Sequence, residues 1–126
     1  MKILNKVKNE LPGLIDYIMF YNTGIVFQSS FSEKANVPVI CANLNEVINT
    51  FRQSLVCYGV SSTDYQKIIF ESTTHIIIIL KLGEDSNIAL FFDNTQVDEV
   101  NIRPIQKYLN KLEDLIDMDK SELEYN

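Results

Sequence analysis

Residues 14–31 read LIDYIMFYNTGIVFQSSF, two apolar runs separated by a short polar turn. The first run, residues 14–21, is rich in β-branched and aromatic side chains, which favour a strand buried on both faces. The turn at residues 22–24 ends in Gly24, and glycine adopts a positive φ without steric cost. The second run, residues 25–31, becomes more polar toward its end, as is typical of an outer strand. The stretch therefore predicts a β-hairpin.

A helix is predicted on each side of this hairpin. Apolar residues recur at helical spacing within residues 1–11, and the Pro12-Gly13 pair that follows ends a helix. After the hairpin, Asn43 with Glu46 matches a capping box, and Gly59 is a natural stop. Seven apolar side chains between these signals fall within an arc about 100° wide, which predicts the buried face of a second helix. They are Ile40, Leu44, Val47, Ile48, Phe51, Leu55 and Tyr58, flanked by Arg52 and Val56.

Three short apolar runs follow, at residues 65–73, 75–82 and 87–93. Within the middle run, residues 76–80 do not alternate, which on its own predicts a central strand covered on both faces. The first run is more amphipathic, as is typical of an edge or an interface. Residues 105–116 carry apolar side chains three and four positions apart and predict a last helix. This order of elements predicts an α+β domain with one five-stranded sheet.

Composition restricts the class of protein. The chain has 126 residues, 46% of them apolar, which suits one domain at residues 1–117 followed by an acidic, frayed tail at residues 118–126. The formal net charge of −6 argues against a nucleic-acid partner. The longest apolar run is far shorter than the roughly 20 residues that span a bilayer, and no signal-peptide pattern follows the basic start. We therefore expect a cytoplasmic protein with no integral membrane segment, reaching membranes only through partners.

Groups that could carry out chemistry are scarce. The chain has one histidine, His75, and two cysteines, Cys41 and Cys57. We expect a partly exposed histidine at the start of a strand and two buried thiols, with a disulfide or redox pair as the alternative. There is no P-loop and no dinucleotide-binding glycine motif, and the ligands are too few for a structural zinc site. The expectation is a protein that is not an enzyme and needs neither cofactor nor metal.

Three short motifs lie in order along the chain. Residues 11–14, Leu-Pro-Gly-Leu, join the end of the first helix to an aliphatic strand, and residues 21–25, Tyr-Asn-Thr-Gly-Ile, form the hairpin turn. Asn101-Ile102 precede the last helix. Together they resemble the roadblock family, the dynein light chain group of small α+β domains, over about residues 1–116. Arg103-Pro104 depart from the family, which usually has a glycine there, and the loop before them is longer.

The resemblance implies the element order α-β-β-α-β-β-β-α and a mostly antiparallel sheet with strand order 2-1-5-4-3 and helices on both faces. This order places residues 76–80 beside the edge rather than at the centre. It also implies a dimer in which the second helices of two subunits pack together and the third strands pair across a twofold axis. The expected dimer interface consists of side chains from these two elements: Arg52, Val56, Lys67, Ile68, Ile69, Phe70 and Glu71.

The family scaffolds and regulates small Ras-like GTPases or joins motor and signalling complexes. The resemblance therefore implies a dimeric scaffold that binds itself or a related roadblock protein and a small Ras-like GTPase, modulating its GTP hydrolysis or nucleotide state. Two alternatives stay open: an adaptor subunit that contacts no GTPase, and a small-molecule sensor in which Asp16 is the obvious polar group for a sheet cavity. The expected GTPase-binding residues lie on the second helix: Asn45, Glu46, Asn49, Arg52 and Gln53.

Overall fold

The computed structural model of the chain describes residues 6, 9–11, 13–60, 65–93 and 108–115. Within them, five strands form one antiparallel sheet, and a long helix joins the second strand to the third. The elements are β1 Leu14–Tyr21, β2 Val26–Ser29, the long helix Val37–Tyr58, β3 Lys67–Glu71, β4 His75–Lys81 and β5 Ser86–Asp93. The α+β architecture and the hairpin predicted from the sequence are confirmed, with a second arm shorter than expected.

The strand order is β2-β1-β5-β4-β3, as the resemblance implies. Strand β5 is central and pairs with β1 and β4. The expectation from residues 76–80 alone, that their strand lies in the centre, is wrong, because β4 lies beside the edge strand β3. The uninterrupted apolar run still has a physical reason. Ile78 faces a hydrophobic cluster on one side of the sheet, and Ile79 faces a second cluster on the other.

Each face of the sheet carries its own hydrophobic layer. One layer joins β1, β4 and β5 to the buried side chains of Leu11 and Leu112, which come from opposite ends of the chain. The other layer lies beneath the long helix and includes Cys41, Leu44 and Ile48. Side chains alternate along the strands, so both layers draw on the same strands. The sheet is therefore covered on both faces.

The long helix begins earlier than its capping pattern predicts. Asn36 is the N-cap, and its Oδ1 accepts a hydrogen bond from the Val39 N–H at 3.4 Å. The capping role expected for Asn43 is wrong, because that residue lies exposed inside the helix. The helix ends at Gly59 as predicted. This glycine has a φ of 94°, and its N–H donates to carbonyl oxygens one turn earlier.

Some predictions fall partly or wholly outside the described residues. The last helix, predicted over residues 105–116, is helical at residues 109–115. Most of the first helix, predicted over residues 1–11, lies outside the described residues. The acidic tail at residues 118–126 and the motif at residues 101–104 also lie outside them.

Replacing Gly59 by alanine should lower the free energy of unfolding by about 1 kcal/mol, because a Cβ is strained at this positive φ. No atom lies within 4 Å of the position that the Cβ would take, so the cost is conformational only. Asparagine tolerates the left-handed region better, and Gly59→Asn should lose roughly half as much. Urea unfolding of the three proteins measures the difference. Equal stability of Gly59→Ala and wild type would contradict this account of the helix end.

Candidate interaction surface

The long helix buries a different arc from the one its sequence predicts. Three side chains expected in the buried arc are open: Val47 is 38% exposed, Phe51 40% and Tyr58 83%. The prediction is wrong for these three residues. The buried side chains of the helix are Cys41, Leu44 and Ile48. The prediction is confirmed for Leu44 and Ile48, whereas Cys41 lies outside the predicted arc.

Asn45 and Arg52 indicate which flank of the helix faces the rest of the domain, since both are half-buried. The Asn45 amide nitrogen lies 3.9 Å from the position that a Cβ would take on Gly24, in the turn before β2. With 100° between successive residues, Val47 lies on the other flank of the helix, about 160° from Asn45. Arg52 lies about 20° from Asn45 on the same flank, so the flank that carries Val47 is the one turned away from both of them.

Strand β3 is an exposed edge. Only Ile68 among its five residues is half-buried, and it packs against the cluster beneath the long helix. Ile69 is 53% exposed and Phe70 37%. The strand pairs with β4 on one side and has no strand on its other side within the described sheet. An open edge of this kind is a template for pairing with another chain.

The long helix and β3 both carry exposed large apolar side chains. Exposed apolar area of this kind is typical of interaction sites on protein surfaces. We call the following exposed side chains the helix–strand surface: Val47, Phe51, Val56 and Tyr58 on the long helix, with Ile69 and Phe70 on β3. Val56 lies on the flank of the helix that carries Asn45, and the side chain of Ile69 points to the sheet face opposite the helix, so the set is not one continuous patch. A groove of about 480 Å³ runs along the helix beside Val47 and Phe51.

The residues expected in the two interfaces lie on these same elements. Lys67 and Glu71 are exposed at the two ends of β3. Of the expected GTPase-binding residues, three are exposed on the long helix, namely Glu46, Asn49 and Gln53. The other two, Asn45 and Arg52, each have a buried polar atom. Within the described part of the chain, Asn45 Oδ1 accepts no hydrogen bond and Arg52 Nε donates none. Asn45 and Arg52 are therefore less accessible than the other three.

A buried polar chain beneath the helix has no counterpart in the predictions. Tyr65 is 2% exposed, and its hydroxyl donates to Asn87 Oδ1. The Asn87 Nδ2 in turn donates to Asn22 Oδ1 at 2.9 Å. The Arg52 guanidinium carbon lies 5.6 Å from the centre of the Tyr65 ring, within the range of a cation–π contact. Burial raises the pKa of Tyr65, and the charge of Arg52 offsets part of this effect.

This chain of contacts joins distant parts of the molecule. It connects the long helix and the entry to β3 with the central strand β5 and the hairpin turn. No local motif marks it in the sequence. The single available signal is a polar residue, Asn87, at the start of an otherwise apolar strand.

A second cleft bears on the sensor hypothesis. It has a volume of about 580 Å³ and lies between the start of β3, the β4–β5 turn and residues 109–115. Its walls carry charges of both signs, including Lys67 and Glu113. Asp16 is not among the described residues that line either cleft. Its carboxylate accepts a hydrogen bond from the Ser30 hydroxyl at 2.9 Å, beside strand β2.

The remaining reactive groups lie apart. Both cysteines are free, but only Cys41 is buried, so the expectation is wrong for Cys57. Burial raises the pKa of Cys41 to about 11. His75 is exposed at the start of β4, and its Nδ1 lies 2.8 Å from the Thr74 hydroxyl. No group of three potential metal ligands occurs among the residues that the structure describes.

No helix within the described ranges is long and apolar enough to cross a bilayer.

Comparison with known proteins identifies the fold. No protein-family model matches the sequence, and no curated protein matches it. A Roadblock/LC7 domain from Streptomyces avermitilis matches with a TM-score of 0.73 at 10% identity, covering 93% of both chains. MglB from Myxococcus xanthus matches with a TM-score of 0.72 at 13% identity, covering 92% of this chain and 90% of that one.

The gliding protein MglB from Thermus thermophilus gives a TM-score of 0.69 at 13% identity, covering 86% of this chain and 80% of that one. The chain therefore has the roadblock fold. The resemblance read from the sequence motifs is confirmed at the level of the fold.

Removing the Tyr65 hydroxyl should lower the free energy of unfolding by about 1–3 kcal/mol, because Tyr65→Phe leaves a buried amide oxygen on Asn87 without its donor. Tyr58→Phe is the matched control, since Tyr58 is among the most exposed aromatic side chains of the described chain. We expect that variant to stay within about 0.5 kcal/mol of wild type. Chemical unfolding measures both. Similar small losses in the two variants would contradict a role for the Tyr65–Asn87 bond.

Proposed function

We propose that this chain is a non-enzymatic dimeric scaffold that binds a small Ras-like GTPase. The observation that carries the proposal is the helix–strand surface, because it leaves large apolar side chains and a strand edge uncovered in a single chain. The roadblock resemblance assigns dimerisation to these same two elements, the second helix and the third strand. The long helix is the second helix of that scheme, and β3 is the third strand.

The exposed area supports self-association on energetic grounds. Completing the burial of a half-exposed large apolar side chain contributes about 1 kcal/mol, so the six side chains of the helix–strand surface offer several kcal/mol per chain. Pairing of β3 with a second copy also gives its outward backbone groups hydrogen-bond partners. MglB, one of the similar structures, has also been solved in a tetrameric arrangement, so multimers form on this fold.

The proposed GTPase contact rests on the resemblance and on the polar side of the long helix. Glu46, Asn49 and Gln53 are exposed there, and side chains of this kind suit a reversible interface. We expect the complex to form in the cytoplasm, with membranes reached through partners. The alternative, an adaptor subunit without a GTPase, would use the same dimer and differ only in lacking this affinity.

Ile69→Lys should turn the dimer into a monomer. Ile69 is the middle residue of β3, so it lies near the twofold axis if two copies of the strand pair. Two desolvated lysines there should cost about 3 kcal/mol, which is roughly a hundredfold in Kd. Ile25→Lys is the matched control, because Ile25 is 64% exposed in the hairpin turn at the other side of the sheet. Light scattering that finds equal masses for the two variants would contradict the proposed interface.

Glu46→Lys should weaken GTPase binding by about 1–3 kcal/mol while leaving thermal stability nearly unchanged. The partner is first recovered by pull-down from the native cell with and without a GTP analogue, then titrated by calorimetry against each variant. Glu33→Lys is the control, since Glu33 is exposed in the loop before the long helix and makes the same change of charge. Arg52 is less suitable, because it also contacts Tyr65.

Absence of any small GTPase from the pull-down would favour the adaptor alternative. Equal affinities of the two variants would place the docking site away from the long helix.

A further inference from the structure

The backbone of β3 has a definite outward side. Two hydrogen bonds at its ends define it: the Lys81 N–H donates to the Gln66 carbonyl at 3.2 Å, and the Ser72 N–H donates to the His75 carbonyl at 2.8 Å. Both fit the β3–β4 register, in which Ile69 lies opposite Ile78. In an antiparallel pair, successive residues direct their N–H and C=O groups to alternate sides. Even-numbered residues of β3 therefore face β4, and Lys67, Ile69 and Glu71 direct theirs toward the open edge.

Pairing of two such edges across a twofold axis is antiparallel, and hydrogen-bonded pairs must combine two outward-facing residues. A register centred on Ile69 uses all three: Ile69 lies opposite Ile69 of a second copy, and Lys67 lies opposite Glu71. Moving the twofold axis by one residue, to Ile68 or Phe70, shifts the register by two residues and pairs only two of the three within β3. The centred register therefore satisfies the most backbone groups.

The side chains of β3 agree with this centred register. The strand reads Lys-Ile-Ile-Phe-Glu, with a cation at its first position and an anion at its last. On one face, each Lys67 ammonium would meet a Glu71 carboxylate, and the pair occurs twice because of the symmetry. On the other face, Ile68 would meet Phe70. Opposite charges and aromatic–aliphatic pairs are favourable across strands, whereas like charges are unfavourable.

We infer that β3 encodes its own partner: Lys67 and Glu71 set the register of a twofold pairing centred on Ile69 and select a second copy of this chain. The inference deepens the proposed function and rests on its use of the β3 edge. A parallel alignment would place Lys67 opposite Lys67 and Glu71 opposite Glu71. A related chain without this order of charges would lose both cross-strand pairs.

Charge exchange between the two positions tests the inference. Lys67→Glu places two carboxylates opposite each other at both cross-strand pairs, and Glu71→Lys places two ammonium groups opposite each other at both. Each single variant should raise the dimer Kd about tenfold. The double variant Lys67→Glu/Glu71→Lys restores opposite charges and should return to within about threefold of wild type. Sedimentation equilibrium at low salt measures all four constants.

Mixing the two single variants gives the sharpest result. A heterodimer of Lys67→Glu with Glu71→Lys has one cross-strand pair between two native side chains and one between two substituted side chains. Each homodimer, by contrast, has two like-charged pairs. In the centred register, the native Glu71 of the first chain meets the native Lys67 of the second, while the new carboxylate meets the new ammonium. Both pairs therefore unite opposite charges, and the mixture should associate about tenfold more tightly than either variant alone.

Lys34→Glu and Glu33→Lys are the matched controls, since both residues are exposed in the loop before the long helix. Each control should dimerise like wild type, and mixing them should add nothing beyond the wild-type affinity.

Failure of the inference and failure of the proposed function give different results. A wild-type chain that stays monomeric contradicts the proposed dimer itself. Suppose instead that the wild type dimerises and Ile69→Lys dissociates it. If the single variants then have the wild-type dimer Kd, or the double variant has a Kd as high as either of them, the register is contradicted and the proposed dimer is not. Tighter association of the mixture than of either component, without the same gain in the control mixture, supports the register.

Discussion

The packing of the long helix on the sheet determines which of its apolar side chains are buried and which stay exposed to solvent. The helix is held at its start by Cys41, Leu44 and Ile48, and it is turned toward the hairpin so that Asn45 lies against Gly24. The opposite flank, which carries Val47 and Phe51, is exposed. Strand β3 is itself an uncovered edge, so a single chain leaves both a helix flank and a strand edge exposed.

The buried polar chain connects the long helix to the sheet. Tyr65 lies two residues before β3, where the described chain enters the edge strand, and its hydroxyl bond to Asn87 ties that entry to the central strand. Arg52 lies over the same ring, so the helix and the strand entry share one buried contact. The long helix and the entry to β3 are thus tied to the core by buried contacts.

Local sequence patterns predict the helices and strands well, but they do not predict which side chains of these elements make long-range contacts. The hairpin and the helix end at Gly59 follow from turn chemistry within a few residues, and the strand order was reached only through the roadblock resemblance. Periodicity marks Val47 and Phe51 as apolar but cannot show that they are exposed rather than buried, because both kinds of position can carry the same side chains. The Tyr65–Asn87 bond joins residues 22 positions apart, and nothing local to either residue signals it.

The proposed dimer depends on the pairing of β3 with β3 of a second copy. Isotope-filtered NOE spectroscopy on a mixture of labelled and unlabelled chains tests this most directly, since it detects only contacts between chains. We expect intermolecular contacts between the Phe70 ring of one chain and the Ile68 methyl groups of the other. Intermolecular contacts confined to β2, or none at concentrations well above micromolar, would contradict the account.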